Sequence, residues 1–149
     1  MSSLFSIPSR IYGLPFLVSS SVSDKDLIFK GNDGGSTITA LTLDMSDAGA
    51  AIFNNNVTAY SDERLKSDIE TIDNGLDKVA AMRGVTFIRN EKKGSGVIAQ
   101  ELEKIAPELV KTADDDMGTK SVAYGNIVGY LIEAVKELKS EIEELKKDK

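Results

Sequence analysis

Residues 125–149 read GNIVGYLIEAVKELKSEIEELKKDK, and this stretch decides the fold more clearly than any other. Its apolar side chains recur at alternating steps of three and four, at Val128, Leu131, Val135, Leu138, Ile142 and Leu145. In a heptad, β-branched residues then occupy the a positions and leucines the d positions, which is typical of a coiled coil and leans towards two strands. We predict a coiled-coil helix over about residues 125–147, with a polar flank at Glu137, Lys139, Glu141 and Lys146. A helix docked on its own domain would have the same spacing.

The sequence before this helix mixes short helical and strand patterns, so the predicted fold class is α+β. Residues 76–82 have helical spacing, and residues 85–88 form a β-branched and aromatic strand. Residues 91–96 read as a polar, flexible loop. Residues 97–99 predict a strand or the start of a short helix, which Pro107 ends.

A hairpin is predicted around the sequence DDDMG at residues 114–118, between two short strand-like runs. Asp114, Asp115 and Asp116 could meet a cation, but they lack the ligand spacing of a calcium-binding loop. We interpret them as a solvated turn. We predict no metal site and no cofactor.

Residues 23–60 have a different composition, with many Ser, Thr, Gly, Asn and Ala and few charges. Short strands are predicted at residues 27–29, 37–45 and 50–53, and residues 31–36 are rich in turn formers. So few large apolar side chains cannot bury a core within one chain. We therefore interpret this segment as a β-structured stem that winds around identical copies; a lone flexible hairpin is the alternative.

Composition removes several classes of function. The 149 residues have a net charge of −6 and contain no Cys, His or Trp, which excludes disulfides, thiolate or imidazole metal sites and histidine-based triads. An acidic chain without a run of lysine and arginine residues is expected to bind nucleic acid and anionic lipid poorly. We therefore predict neither nucleic acid nor membrane as a partner. The apolar stretch at residues 11–18 is too short to cross a bilayer. Residues 1–22 remain unassigned.

Candidate catalytic residues lie near residue 60, where the charge-poor segment meets the charge-rich one. Ser61, Asp62 and Glu63 are typical of a helix start with Ser61 at the cap. A serine needs a base to become a nucleophile, and without histidine the base would be Lys66. Arg64 could supply the nearby positive charge that lowers a lysine pKa. On one continuous helix, however, residues five apart point roughly 140° from each other. Spacing alone therefore favours the helix cap over catalysis.

A family resemblance covers residues 61–149. Six separated motifs follow one another in the expected order, namely SDERLKSDI at 61–69, RGVTF at 83–87, GVIAQELE at 96–103, PELV at 107–110, KSVAY at 120–124 and LIEAVKEL at 131–138. They resemble the endosialidase-type intramolecular chaperone, an auto-processing domain that ends many bacteriophage tail fibres and tail spikes. The loop at residues 89–96 looks shorter than in many members.

The resemblance implies that residues 61–149 form a chaperone domain that drives homotrimer formation and folding of the β-stem. It implies a single-turnover serine autopeptidase that then cleaves the Tyr60–Ser61 bond. Ser61 would attack the Tyr60 carbonyl and Lys66 would be the general base, while Asp62 and Arg64 would at most orient them.

The implied location is the virion, as a tail fibre assembled in the host cytoplasm. The implied partners are two further copies of the chain and upstream fibre or other tail proteins, with a host surface receptor as a further candidate. The alternative function is a structural trimerisation cap that does not cleave and stays on a viral fibre. A third hypothesis, a cellular coiled-coil scaffold or membrane-anchored regulator, would need a DNA-binding region or a membrane span.

Overall fold

The computed structural model describes residues 17–147, which form two units that divide after Ser61. Strands and helices both occur, and a long helix lies near the C-terminus, so the α+β class is confirmed. Most of the segment at residues 1–22, including nearly all of its apolar stretch, lies outside the described residues.

The first unit contains a three-stranded antiparallel sheet, ordered β1 (Leu27–Asp33), β2 (Ser36–Asp44) and β3 (Ala50–Phe53). Gly34 and Gly35 join β1 to β2, and both have positive φ, which glycine adopts without the Cβ penalty. A one-turn 3-10 helix, Met45–Asp47, begins the connection to β3. The three predicted strands are thus confirmed, and β1 is longer than the predicted run.

One face of this sheet is apolar. Cross-strand pairing aligns Phe29 with Leu41 and Leu41 with Phe53, so the three side chains form a row. Phe29 and Phe53 are nonetheless about half exposed. Among the described residues of this unit, 17–61, none is buried. The sheet therefore has no core of its own, in keeping with the expectation from composition.

The described part of the second unit contains three α-helices and two β-hairpins. In chain order these are α1 (Gly75–Ala81), β4 (Val85–Arg89), β5 (Lys92–Gly96), α2 (Ala99–Leu102), β6 (Val110–Thr112), β7 (Lys120–Val122) and α3 (Ile127–Lys147). Of the two options for residues 97–99, the short helix is confirmed. The hairpin around residues 114–118 and the long C-terminal helix are confirmed as well.

The prediction of a flexible loop at residues 91–96 was wrong, because residues 92–96 form strand β5, which pairs with β4. Asn90 and Glu91 both have positive φ, as a two-residue hairpin turn of type I′ requires. A Cβ on Gly94 would lie 2.8 Å from the Phe87 ring. The glycine thus leaves room for the aromatic ring of the opposite strand, and such a strand has no alternating apolar pattern to detect.

The core of the second unit lies where α2 and the β6–β7 hairpin meet α3. Its buried apolar residues are Leu102, Ala106, Leu109, Tyr130 and Ala134. A partly buried shell surrounds them, formed by Ile72, Val79, Met82, Val97, Val110, Val122 and Ile127. This is a small core for a unit of this length, since short domains bury a low fraction of their surface.

Helix α3 docks on its own unit through one side only. Tyr130 and Ala134 are buried, and α1 approaches so closely that a Cβ on Gly75 would lie 2.8 Å from the Ala134 nitrogen. The heptad residues lie elsewhere and are 44–67% exposed, as Val128, Leu131, Val135, Leu138, Ile142 and Leu145. We call these six residues the apolar stripe. Docking on the helix's own domain therefore does not account for the apolar stripe.

Candidate functional site

The segment from Tyr60 to Lys66 is exposed throughout, and the Tyr60 side chain is 97% accessible to solvent. A single 3-10 turn, Glu63–Leu65, follows Asp62. Asp62 caps this turn by accepting the N–H of Arg64 at 2.9 Å. The prediction of a helix capped by Ser61 was therefore wrong, because the Asp62 carboxylate takes the capping role one residue later.

Lys66 follows the turn in an extended conformation, with φ −127° and ψ 148°. Its backbone N–H donates to the Glu63 carbonyl at 3.0 Å and so closes the turn. No continuous helix joins Ser61 to Lys66. The angular separation that spacing on one helix would impose therefore does not apply to this pair.

Asp62 and Arg64 are also joined by hydrogen bonds between their side chains. The Arg64 side chain donates to both Asp62 carboxylate oxygens, through Nε at 3.0 Å and Nη2 at 2.6 Å. These hydrogen bonds hold the pKa of Asp62 below its ordinary value, and the charge of Lys66 lowers it further. The same contact raises the pKa of Arg64. Arg64 is thus the ion-pair partner of Asp62, and the pair fixes the turn that carries Lys66.

The structure places the predicted site residues on both sides of the division between units. Tyr60 and Ser61 end the first unit, whereas Asp62, Arg64 and Lys66 lie in or directly beside the first turn of the second. All residues from 60 to 71 are exposed. In the single chain none of the predicted site residues is buried.

Sequence reasoning missed a structural carboxylate on α3. Glu137, expected on the polar flank of a coiled coil, accepts the backbone N–H groups of Gly75 and Leu76 at 2.8 Å each. It thereby caps the N-terminus of α1, where a negative charge is favoured. Nothing in the local sequence of α1 signals this contact, because the two partners are 61 and 62 residues apart.

The acidic run at residues 114–116 belongs to the turn of the β6–β7 hairpin. Asp115 accepts the backbone N–H of Thr119 at 2.8 Å. This hydrogen bond is the main reason that the pKa of Asp115 is lowered. Asp115 is therefore a turn cap.

Among residues 17–147, no helix has the length and apolar character to cross a membrane.

Comparison with known proteins finds one matching family model and several similar tail fibre proteins. Residues 61–111 match a peptidase family model described as the chaperone of endosialidase. The long tail fiber protein Gp37 of Enterobacteria phage K3 is 37% identical over 99 residues, which cover 60% of this chain and 8% of that protein. Gp37 of Salmonella phage S16 is 33% identical over 112 residues, which cover 66% of this chain and 15% of that protein. Gp37 of Enterobacteria phage M1 is 33% identical over 102 residues, which cover 62% of this chain and 41% of that protein.

The chain thus spans less than half the length of each of these relatives. The family match begins at Ser61, the residue at which the two units divide. The comparisons support a chaperone-type domain similar to those of phage tail fibres in the second unit.

Proposed function

We propose that this chain is the C-terminal part of a phage tail fibre whose second unit brings three copies together, promotes folding of the β-stem and then cleaves the Tyr60–Ser61 bond. In the assembled fibre it is a virion component. The observation that carries the proposal is the position of the family match, which begins at Ser61, directly after the stem.

Assembly is assigned to α3. The apolar stripe exposes six large side chains along the whole helix, and every residue from 138 to 147 is exposed. Burying apolar surface contributes roughly 25 cal/mol per Å², so an exposed stripe of this kind favours association with another copy. The isoleucine at position 132, next to the stripe, is 49% exposed and widens the apolar surface, which suits three strands better than two.

The stem supplies the reason for a chaperone. Its sheet has no buried residue in the described part of the unit, so its stability must come from contacts between chains. Contacts between chains cost association entropy before they contribute any stability. A fused module that assembles first raises the local concentration of the three stems and aligns them. Cleavage afterwards separates the stem from the module and traps it kinetically.

The proposed reaction is an N-to-O acyl shift followed by hydrolysis. Lys66, in its neutral form, takes the hydroxyl proton of Ser61, and Ser61 Oγ attacks the carbonyl carbon of Tyr60. The C–N bond breaks, the proton passes to the Ser61 α-amino group, and an ester joins Tyr60 to Ser61 Oγ. Water hydrolyses this ester, releasing the Tyr60 carboxylate and restoring the Ser61 hydroxyl. Because the segment is exposed in the single chain, we expect assembly to provide the desolvation that the lysine base requires.

The test is the intact mass of freshly purified protein under denaturing conditions. The parent chain should give two fragments that meet between Tyr60 and Ser61, in place of one 16.1 kDa species. Ser61→Ala and Lys66→Ala should each give the intact mass only. The matched control is Ser67→Ala, which removes an exposed hydroxyl from the same segment and should still cleave.

Equal cleavage in Ser61→Ala would remove Ser61 from the mechanism. A single full-length mass for the parent, together with a trimer in sedimentation, would support the permanent structural cap instead. Trimer formation by Ser61→Ala separates assembly from cleavage, since this variant should assemble as the parent does.

A further inference from the structure

Charged side chains flank the apolar stripe near the C-terminal end of α3. With Val128, Val135 and Ile142 at a positions, Glu141 occupies a g position and Lys146 the following e position. On a single helix, residues five apart lie on opposite sides of the stripe and do not face each other. Neither residue has an ion-pair partner in the described part of the chain, whereas Lys136 pairs with Glu133 and Lys139 with Glu143.

The intrachain surroundings of Glu141 are repulsive. Its neighbours at three and four positions include Glu137 and Glu144, and none of them is a lysine or arginine. Like charges at this spacing destabilise a helix. Glu137 is already committed to the N-terminus of α1. Within the described part of the helix no cation is placed to pair with Glu141, so a pairing cation would come from another copy.

Parallel helices provide that cation. In a parallel coiled coil, a g residue faces the e residue of the following heptad on the neighbouring helix. Glu141 of one copy then faces Lys146 of the next, and in a closed ring of three the contact recurs at each interface.

Antiparallel helices do not provide it. With the apolar stripe fully overlapped, Glu141 would lie beside Ala134 of the other helix and Lys139 beside Ile132. Opposite charges would not meet at either position. The charge pattern therefore distinguishes the two orientations.

We infer that Glu141 and Lys146 form an interchain ion pair that holds the copies of α3 parallel and in register, so that the three stems leave the assembly in the same direction. This inference rests on the proposed assembly through α3. In this inference Glu141 and Lys146 determine the relative orientation of the helices, whereas burial of the apolar stripe supplies the affinity.

Charge reversal tests the pair, in the full chain carrying Ser61→Ala so that the polypeptide stays intact. Glu141→Lys places like charges together at every interface and should weaken the association constant, measured by sedimentation equilibrium, about tenfold, as expected for several surface pairs acting together. The double variant Glu141→Lys/Lys146→Glu should restore it. Glu144→Lys has the same charge change at a c position, outside the stripe, and should leave association near the parent value.

Helix content separates pairing from helix stability. Glu141→Lys replaces like-charge neighbours by attractive ones within its own helix, so the helix content of the dissociated chain should not fall although association weakens. If Glu141→Lys associates as tightly as the parent, or if the double variant fails to recover, the ion pair is refuted.

The orientation of the α3 helices can be tested by disulfide cross-linking. Because the chain contains no cysteine, a single introduced cysteine can pair only with its copy on another chain. Leu145→Cys alone should form interchain disulfides in a parallel assembly. In an antiparallel one, two copies of position 145 lie about 26 Å apart, at 1.5 Å per residue, well beyond the roughly 7 Å that a disulfide spans. An antiparallel assembly would instead cross-link only in mixtures of Val128→Cys and Leu145→Cys, and would overturn the inference while leaving assembly intact. A parent chain that stays monomeric would overturn both.

Discussion

Gly75→Ala should destabilise the second unit, although alanine is the better helix former. Gly75 is the first residue of α1, where α1 crosses α3. A Cβ there would lie 2.8 Å from the Ala134 nitrogen and 2.9 Å from the Glu133 Cβ. These atoms belong to the α3 backbone or are attached directly to it, so they cannot move aside as the end of a flexible side chain would.

The expected magnitude follows from two opposing effects. Alanine in place of glycine contributes up to about 1 kcal/mol in the interior of a helix, and less at its first position. Overpacking a close contact costs about 1–3 kcal/mol. Displacing α1 also weakens the cap that Glu137 provides through two backbone hydrogen bonds, and the loss of a helix cap costs about 0.5–2 kcal/mol. The net loss should be about 2 kcal/mol, which lowers the melting temperature of a domain of this size by about 10 °C.

The assay is thermal and urea denaturation at a fixed protein concentration, since association shifts apparent stability. The matched control is Gly84→Ala. A Cβ on Gly84 would meet no atom within 4 Å, and the residue has no positive φ, so alanine there should be neutral or slightly stabilising. If Gly75→Ala is as stable as the parent, α1 and α3 do not meet as described, and the close approach is refuted.

Three further outcomes follow from the same contacts. Glu137→Ala should destabilise the second unit by about 1–2 kcal/mol in urea denaturation, because the N-terminus of α1 loses its cap, and Glu137→Gln should recover part of this. Gly94→Ala should shift the NMR resonances of the Phe87 ring and loosen the β4–β5 hairpin, because its Cβ would lie 2.8 Å from that ring. The carboxyl carbon of Asp62 should titrate below the ordinary range in the parent, and its pKa should rise part of the way back in Arg64→Gln, because the backbone hydrogen bond from residue 64 and the charge of Lys66 remain. Because this pKa is lowered on folding, the ionised Asp62 carboxylate stabilises the turn fully above the unfolded pKa of about 3.9, and this stabilisation is lost as the pH falls through the folded value.

The sequence predicted α3 because its heptad spacing is a local property of one helix. It did not identify the side that docks, since Tyr130 and Ala134 are buried by α1 and the core, which are distant in sequence. For the same reason Glu137 was taken for a flank of the coiled coil. At the candidate site, the capping residue was misplaced by one position because Ser61 and Asp62 are both good caps. Only the geometry of Arg64, which binds the Asp62 carboxylate, distinguishes them.

The proposed assembly and the proposed cleavage each involve an exposed feature of the second unit. The apolar stripe is exposed along α3, and the turn that carries Lys66 is exposed as well. A lysine in water stays protonated at neutral pH and cannot act as a base, whereas burial disfavours its charged form. If association both covers the apolar stripe and shields this turn, cleavage waits until the copies are in place. A chaperone controlled in this way would not release a stem before it has assembled.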